Sequence, residues 1–214
     1  MSPTPSERRA ETGRYHHGDL RAALVEAAVE LIGERGVRGF SLAEVSRRLG
    51  VSAGAPYRHF PDREALLAAV AVRAFELFGE MLGTAPGGAG QAIAPEVRLA
   101  AMAGGYVRFA GERRPLFDTL YAAGIDKSRF PEVHEAAEPI DADLQACVQA
   151  LCPDDPAGAK ALEGALTATA HGFAMLLLDG DYGNGPAAVD TASQQAANAA
   201  LALIEGRAAL RRPR

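Results

Sequence analysis

Leu49-Gly50-Val51-Ser52 is a four-residue turn set between two short helical signals, and no other stretch of the chain narrows the fold as much. Upstream, Ser41 followed by Glu44 is a capping box, in which the hydroxyl takes an orphan amide of the first turn and the carboxylate reaches back. The spacing predicts a helix from there, with Leu42, Val45 and Leu49 facing inward. Gly50 ends that helix, Val51 fills the space behind the turn, and Ser52 is placed to cap a second short helix running to about Phe60. Two short helices joined this tightly form a helix-turn-helix. Ala53, Gly54, Ala55, Tyr57, Arg58 and His59 are left on its outer face. The small residues let that face approach base edges closely, and the first amides of a helix suit a phosphate. Tyr57 and His59 are long enough to reach a phosphate or a base edge. The plainer alternative is a helical hairpin inside an ordinary bundle.

The rest of the chain also reads as helix, so the expected fold class is all-α. Asp19 is placed to cap a first helix whose Leu20, Leu24, Ala27, Ala28, Leu31 and Ile32 recur on one face, and Gly36 stops it. Pro61-Asp62 breaks the chain and caps a long amphipathic helix from Asp62 to Leu82, with Leu66, Leu67, Val70, Phe75 and Phe78 available for burial. The Gly/Pro-rich stretch 83–95 marks a domain boundary. Beyond it, helices are predicted over 96–113, 115–123, 130–151, 155–178 and 186–209, the third of them interrupted early by Pro139. The expected organisation is an arm over 1–17, a three-helix domain over 18–78, a connecting helix end and linker over 79–94, and a helical domain over 95–214.

Charge is distributed unevenly along the chain. Up to residue 63 there are ten arginines against eight acids; after it, twelve basic residues face nineteen acidic ones. The slightly basic head on an acidic body is the sign a DNA-reading head would carry, although a solvated charge pattern looks similar. Arg8, Arg9 and Arg14 in the arm would either enter a minor groove or belong to a solvated tail. His16-His17 reads as the run-in to the first helix. No run of about 18 consecutive apolar residues appears, so no membrane partner is expected. The polar N-terminus has no apolar signal core, and the expected location is cytoplasmic. Cys147 and Cys152 are the only cysteines, too few for a disulfide framework and without a histidine at ligand spacing. They read as structural, and neither a metal nor any other cofactor is expected.

The sequence resembles the TetR family of bacterial transcription regulators. The resemblance runs from 18 to 78 through Glu34-Arg35-Gly36, Phe40-Ser41-Leu42, the run Val45 to Ser52, Tyr57-Arg58-His59-Phe60 and Asp62-Arg63-Glu64-Ala65-Leu66-Leu67. Arg63 stands where the family usually has lysine, and Pro56, which has no amide donor, where it often has leucine. The resemblance implies DNA contacts at Ser41, Arg48, Ser52, Ala53, Tyr57, His59 and Arg63, with Gly54 and Ala55 between them. Tyr57 and Arg63 would meet phosphates; Arg48, Ala55 and His59 would lie nearer the groove floor. It implies double-stranded operator DNA as partner, repression as the usual outcome, and a homodimer.

Residues 106–117 and 170–180 resemble a TetR subgroup with a Trp-His-Gly motif in the C-terminal domain, although Ala170 takes the tryptophan position. In such proteins the last two long helices pair with those of a second subunit. Alanines at 165, 168, 170, 174, 196, 197, 199 and 200 would allow close approach there. Met102, Tyr106, Phe109, Phe117, Tyr121, His171 and Met175 are candidates for the lining of a pocket for a small apolar or amphipathic ligand. Residues of these types at helical spacing also make simple core. No catalytic residues stand out: there is no nucleophile elbow, phosphate loop or metal-spaced His/Glu pair. The alternatives to a ligand-released repressor are a DNA-binding dimer with no inducer and, remotely, an all-α enzyme.

Overall fold

The computed structural model describes residues 17–83, 93–122, 125–126 and 128–211. The arm arginines Arg8, Arg9 and Arg14, His16 and most of the Gly/Pro-rich linker lie outside these residues. The described residues form eight α-helices and no strand: α1 (His17–Arg35), α2 (Leu42–Leu49), α3 (Arg63–Leu82), α4 (Pro95–Glu112), α5 (Arg114–Ala122), α6 (Pro131–Leu151), α7 (Pro156–Asp179) and α8 (Pro186–Glu205).

Several helix ends follow directly from local chemistry. Ser41 in extended conformation caps α2, its hydroxyl accepting from the Glu44 amide at 3.3 Å and donating to the Glu44 carboxylate at 3.0 Å. Gly50 closes the helix at φ 67°, a left-handed conformation in which a side chain would be strained. Asp62 caps α3 through the Ala65 amide at 2.8 Å, and Asp155 caps α7 through the Gly158 amide at 2.9 Å.

Four expectations need correction. The backbone of α1 begins at His17, ahead of the cap expected at Asp19. No α-helix runs from Ser52 to Phe60: a turn at 53–54 leads into a single 3-10 turn, Pro56–Arg58. The cause is Pro56. A helix capped at Ser52 needs the residue-56 amide to donate to the Ser52 carbonyl, and proline has none to give. The Ala55 amide takes that carbonyl instead, at 3.0 Å, and the chain tightens. Pro139, by contrast, does not break α6, which is continuous through it. Pro139 and Glu135 are both exposed, so the carbonyl that loses its intrahelical donor faces water. Finally, the last helix stops at Glu205, and Arg207–Arg211 continue as a 3-10 turn.

Helices α1, α2 and α3 enclose a small core around Leu24, Leu31, Val45, Phe60 and Leu66, all at most 2% exposed. Each large apolar side chain buried this completely contributes roughly 1.5–3 kcal/mol. The core runs on without a break along α3 into the second half. There α4 is the central element, packed on α3, α5, α6, α7 and α8. Its approach to α8 is close because Gly104 and Gly111 have no side chain. A Cβ at Gly104 would lie 3.0 Å from the Ser193 carbonyl oxygen, and one at Gly111 2.7 Å from Val189. Helix α7 is long and apolar enough, by length and composition alone, to cross a bilayer. It buries one face through Leu162, Leu166, Ala170, Ala174 and Leu177 and leaves Met175 and Leu176 exposed. Both cysteines are free thiols, Cys152 buried and Cys147 half-buried.

Candidate functional site

The two features with functional chemistry are the surface around residues 41–63 and a cavity in the second half of the chain.

On the first, the 52–58 turn presents Ser52, Ala53, Gly54, Tyr57 and Arg58 to solvent, with Ala55 and His59 half-exposed. Tyr57 is 57% exposed, so its ring and hydroxyl are open to a partner. Pro56 and Phe60 are buried and anchor the turn from beneath, and the Arg21 guanidinium lies 5.2 Å from the Phe60 ring centroid. Ser41 is half-buried and occupied by its capping role.

The structure engages two of the sequence candidates with the protein's own groups, Arg48 at the surface and Arg63 half-buried. The Arg48 side chain is 28% exposed and donates to Glu34 at 2.7 Å and Glu30 at 3.2 Å, tying α2 to α1. These partners hold its pKa above the ordinary arginine value, with the Glu34 hydrogen bond the largest cause. Arg63 donates from Nε to the Phe40 carbonyl at 3.1 Å and from Nη2 to the Val37 carbonyl. Its guanidinium also sits 4.7 Å from the Phe40 ring centroid. It fastens the start of α3 to the 37–40 loop. Arg47, which sequence reasoning did not single out, is 76% exposed, with a loose 3.7 Å contact to Glu44. The available signal was periodicity: Val45 and Leu49 fix the inward face of α2, and position 47 lies away from it.

The cavity lies among α3, α4, α5, α6 and α7 and has a volume of about 160 Å³. Its floor is apolar and buried: Phe78 from α3, Leu99, Met102 and Ala103 from α4, Ile140 from α6, and Leu166 and Ala170 from α7. Phe75, Tyr106 and Leu144 form half-buried walls, and Tyr121, Asp141 and Thr167 form an exposed polar rim.

Of the seven residues expected in a pocket, Met102, Tyr106 and Tyr121 line it. The other four have different places. Phe109 is buried against Phe78, with ring centroids 5.2 Å apart. Phe117 packs beneath Tyr106 and Tyr121. His171 Nδ1 is hydrogen-bonded to the Tyr106 hydroxyl at 2.9 Å, and its ring lies 5.0 Å from that of Tyr121. Met175 is on the surface, 40% exposed. Thus Phe117 and His171 support the lining tyrosines from behind. Burial, and after it the neighbouring Tyr121, push the Tyr106 phenol well above its ordinary pKa. Phe75 and Phe78 were legible as buried residues of α3, but nothing in sequence spacing tells a cavity wall from solid core. Among the described residues no group of three His, Cys, Asp or Glu side chains is placed to hold a metal.

One helix connects the two features. Asp62 and Arg63 at the start of α3 adjoin the 52–58 turn, and Phe75 and Phe78 on the same helix line the cavity. A second contact ties the start of α3 to the segment leading into α6: Arg129, just ahead of α6, is ion-paired with Asp62 and Glu64. Phe130 and Val133 follow it and pack on Ala68 and Ala71 of α3.

Comparison with known proteins agrees with this architecture. Residues 24–70 match the family model described as bacterial regulatory proteins, tetR family, and residues 99–200 match the tetracyclin repressor-like C-terminal domain. The chain is 30% identical to the HTH-type transcriptional regulator BetI of Rhizobium meliloti over 144 residues, covering 64% of this chain and 68% of that protein. It is 34% identical over 68 residues to the HTH-type transcriptional repressor Rv3405c of Mycobacterium tuberculosis, covering 32% of this chain and 35% of that one. A solved structure of a protein of unknown function from Rhodococcus sp. RHA1 superposes with a TM-score of 0.66 at 32% identity, covering 89% of this chain and 97% of the other. These relatives, where a function is named, are regulators and not enzymes. The chain belongs to the TetR family of DNA-binding transcriptional regulators.

Proposed function

We propose that the protein is a homodimeric repressor that leaves a near-palindromic operator when a small apolar or amphipathic molecule enters the cavity. The observation that carries this reading is α3, which borders the reading turn at one end and supplies Phe75 and Phe78 to the cavity wall at the other. A ligand that fits the cavity better in one setting of α3 than in another shifts the population of reading-head positions by that difference in affinity. In a two-fold dimer the two heads must sit one DNA turn apart, roughly 34–36 Å. A small tilt of α3 alters that spacing.

In this reading Tyr57 and Arg47 contact phosphates, while Ser52, Ala53, Gly54, Ala55 and His59 face the groove. Ser41, Arg48 and Arg63 hold the motif in shape, and any DNA contact they make draws on donors their inward bonds leave over. The exposed apolar side chains Met175, Leu176 and Leu201, on the last two long helices, support pairing of those helices with a second subunit.

Fluorescence anisotropy with DNA from upstream of the protein's own gene, against scrambled DNA at several salt concentrations, tests the core of the reading. Preferential binding that weakens about tenfold on both DNAs in Tyr57→Phe combined with Arg47→Ala is the expected result. Selection from a random duplex library that enriches no sequence would overturn it.

A further inference from the structure

The cavity carries more chemical information than its size. Its only charged lining side chain among the described residues is Asp141, on the exposed rim. Among the described residues no lysine or arginine lines it. Arg98, on the neighbouring stretch of α4, has its guanidinium engaged by Asp143 and by the Leu82 carbonyl. An anionic ligand would therefore meet a carboxylate at the entrance and, among the described residues, no cation inside. A neutral ligand would gain from the floor but nothing from the charge at the rim.

Four aromatic rings border the same space. Phe75, Phe78, Tyr106 and Tyr121 contribute rings to the walls, floor and rim. Ring faces attract an organic cation through their quadrupole, and ammonium groups are the usual guests of such surroundings. The field of the whole body has the same sign preference, since acids outnumber bases by nineteen to twelve after residue 63. The volume, about 160 Å³, suits one ring or a short branched chain.

We infer that the cavity takes a small organic cation, an ammonium group on a compact apolar body, with the charge at the rim beside Asp141 and Tyr121 and the body against Phe75, Phe78 and Met102. This rests on the reading of the cavity as the inducer site and specifies its chemical class. Asp141 already has interactions within the protein, and the ammonium joins them.

Calorimetry on the full-length protein with three probes of matched skeleton tests it: 2-phenylethylammonium, 2-phenylethanol and phenylacetate. The expected order is cation tightest, about tenfold ahead of the alcohol, with the carboxylate weakest; tenfold corresponds to about 1.4 kcal/mol. Asp141→Asn reduces the cation's advantage to about twofold, and Tyr121→Leu reduces it independently of the carboxylate. Circular dichroism identifies any variant that has lost its fold. If the alcohol or phenylacetate binds as well as the cation, the assigned class is wrong, while the cavity remains a ligand site. If none of the three binds at millimolar concentration, the class and the inducer-site reading both fall.

Discussion

The candidate DNA-reading surface and the cavity are built on opposite plans. The candidate DNA-reading residues lie within about twenty consecutive positions, 41 to 63, and their form follows from caps, one glycine and one proline. The cavity takes its walls from five helices spread over nearly a hundred residues, Phe75 to Ala170, and no short stretch contains it. A local motif can be read and broken locally. A cavity is a property of packing, so a change in its wall also affects the core.

The largest expected effect comes from that overlap. Phe78 lines the cavity, packs against Phe109 and Tyr106, and is 7% exposed. Phe78→Ala is expected to cost about 3–5 kcal/mol of stability in urea titration, because the site cannot fully collapse around the lost ring. Loss below 1 kcal/mol would mean that the ring is a loose wall and no part of the core.

Next comes the double change at the reading surface. Tyr57→Phe with Arg47→Ala is expected to weaken operator binding about tenfold and to lower the salt slope by about one. Stability stays within about 0.5 kcal/mol, since both side chains are exposed. Arg48→Ala supplies the contrast: because it bridges α1 and α2, its effect is expected to appear in the melting temperature ahead of the salt slope. The opposite ordering would return Arg48 to the DNA-contacting set.

Ser41→Ala tests the cap on which the local motif depends, with an expected loss of about 1 kcal/mol. It should be accompanied by a change at low pH. The Ser41 hydroxyl, and after it Arg35, hold the Glu44 carboxyl below its ordinary value of 4.5. A carboxyl lowered in the folded state stabilises fully above its unfolded value, and the contribution is lost as pH falls through the folded one. The Ser41→Ala variant should therefore lose less stability than the wild type on acidification below about 4.5. Parallel acid limbs in thermal melts would remove the cap from the account.

Arg129→Ala has the smallest expected effect on stability, because its ion pairs with Asp62 and Glu64 are exposed. Its value lies in the link between the two regions. If the clamp transmits ligand binding to the head, the variant keeps its DNA affinity and loses part of the ligand's effect on it. Unchanged coupling in anisotropy would leave α3 as the sole connection.

Much of this was legible in the sequence. The caps at Ser41, Asp62 and Asp155, the stop at Gly50 and the α3 core face depend on contacts within a few residues, and they stand where their chemistry put them. The reading turn was misjudged because a serine cap suggested a helix that Pro56 could not complete, and the missing donor was the stronger of two local signals. Pro139 was misjudged in the opposite sense. Its cost depends on whether the orphaned carbonyl meets water, and only the exposure of that face of α6 decides this.

Arg48 and Arg63 show the same boundary from the charged side. Composition marks them as cations near a DNA-reading motif, but their partners Glu30, Glu34, Val37 and Phe40 come from other elements. In the second half, sequence identified Met102, Tyr106 and Tyr121 together with Phe109, Phe117, His171 and Met175, residues of one chemical kind. Packing then sorted them into lining, support, core and surface. By itself the sequence determined most of the α-helices, the ends set by local caps at Ser41, Asp62 and Asp155, and the family, since these depend on neighbours along the chain. Only the tertiary structure decided which arginines are engaged by the protein's own groups, where the cavity lies and which carboxylate stands at its rim, because each depends on side chains that meet across elements apart in sequence.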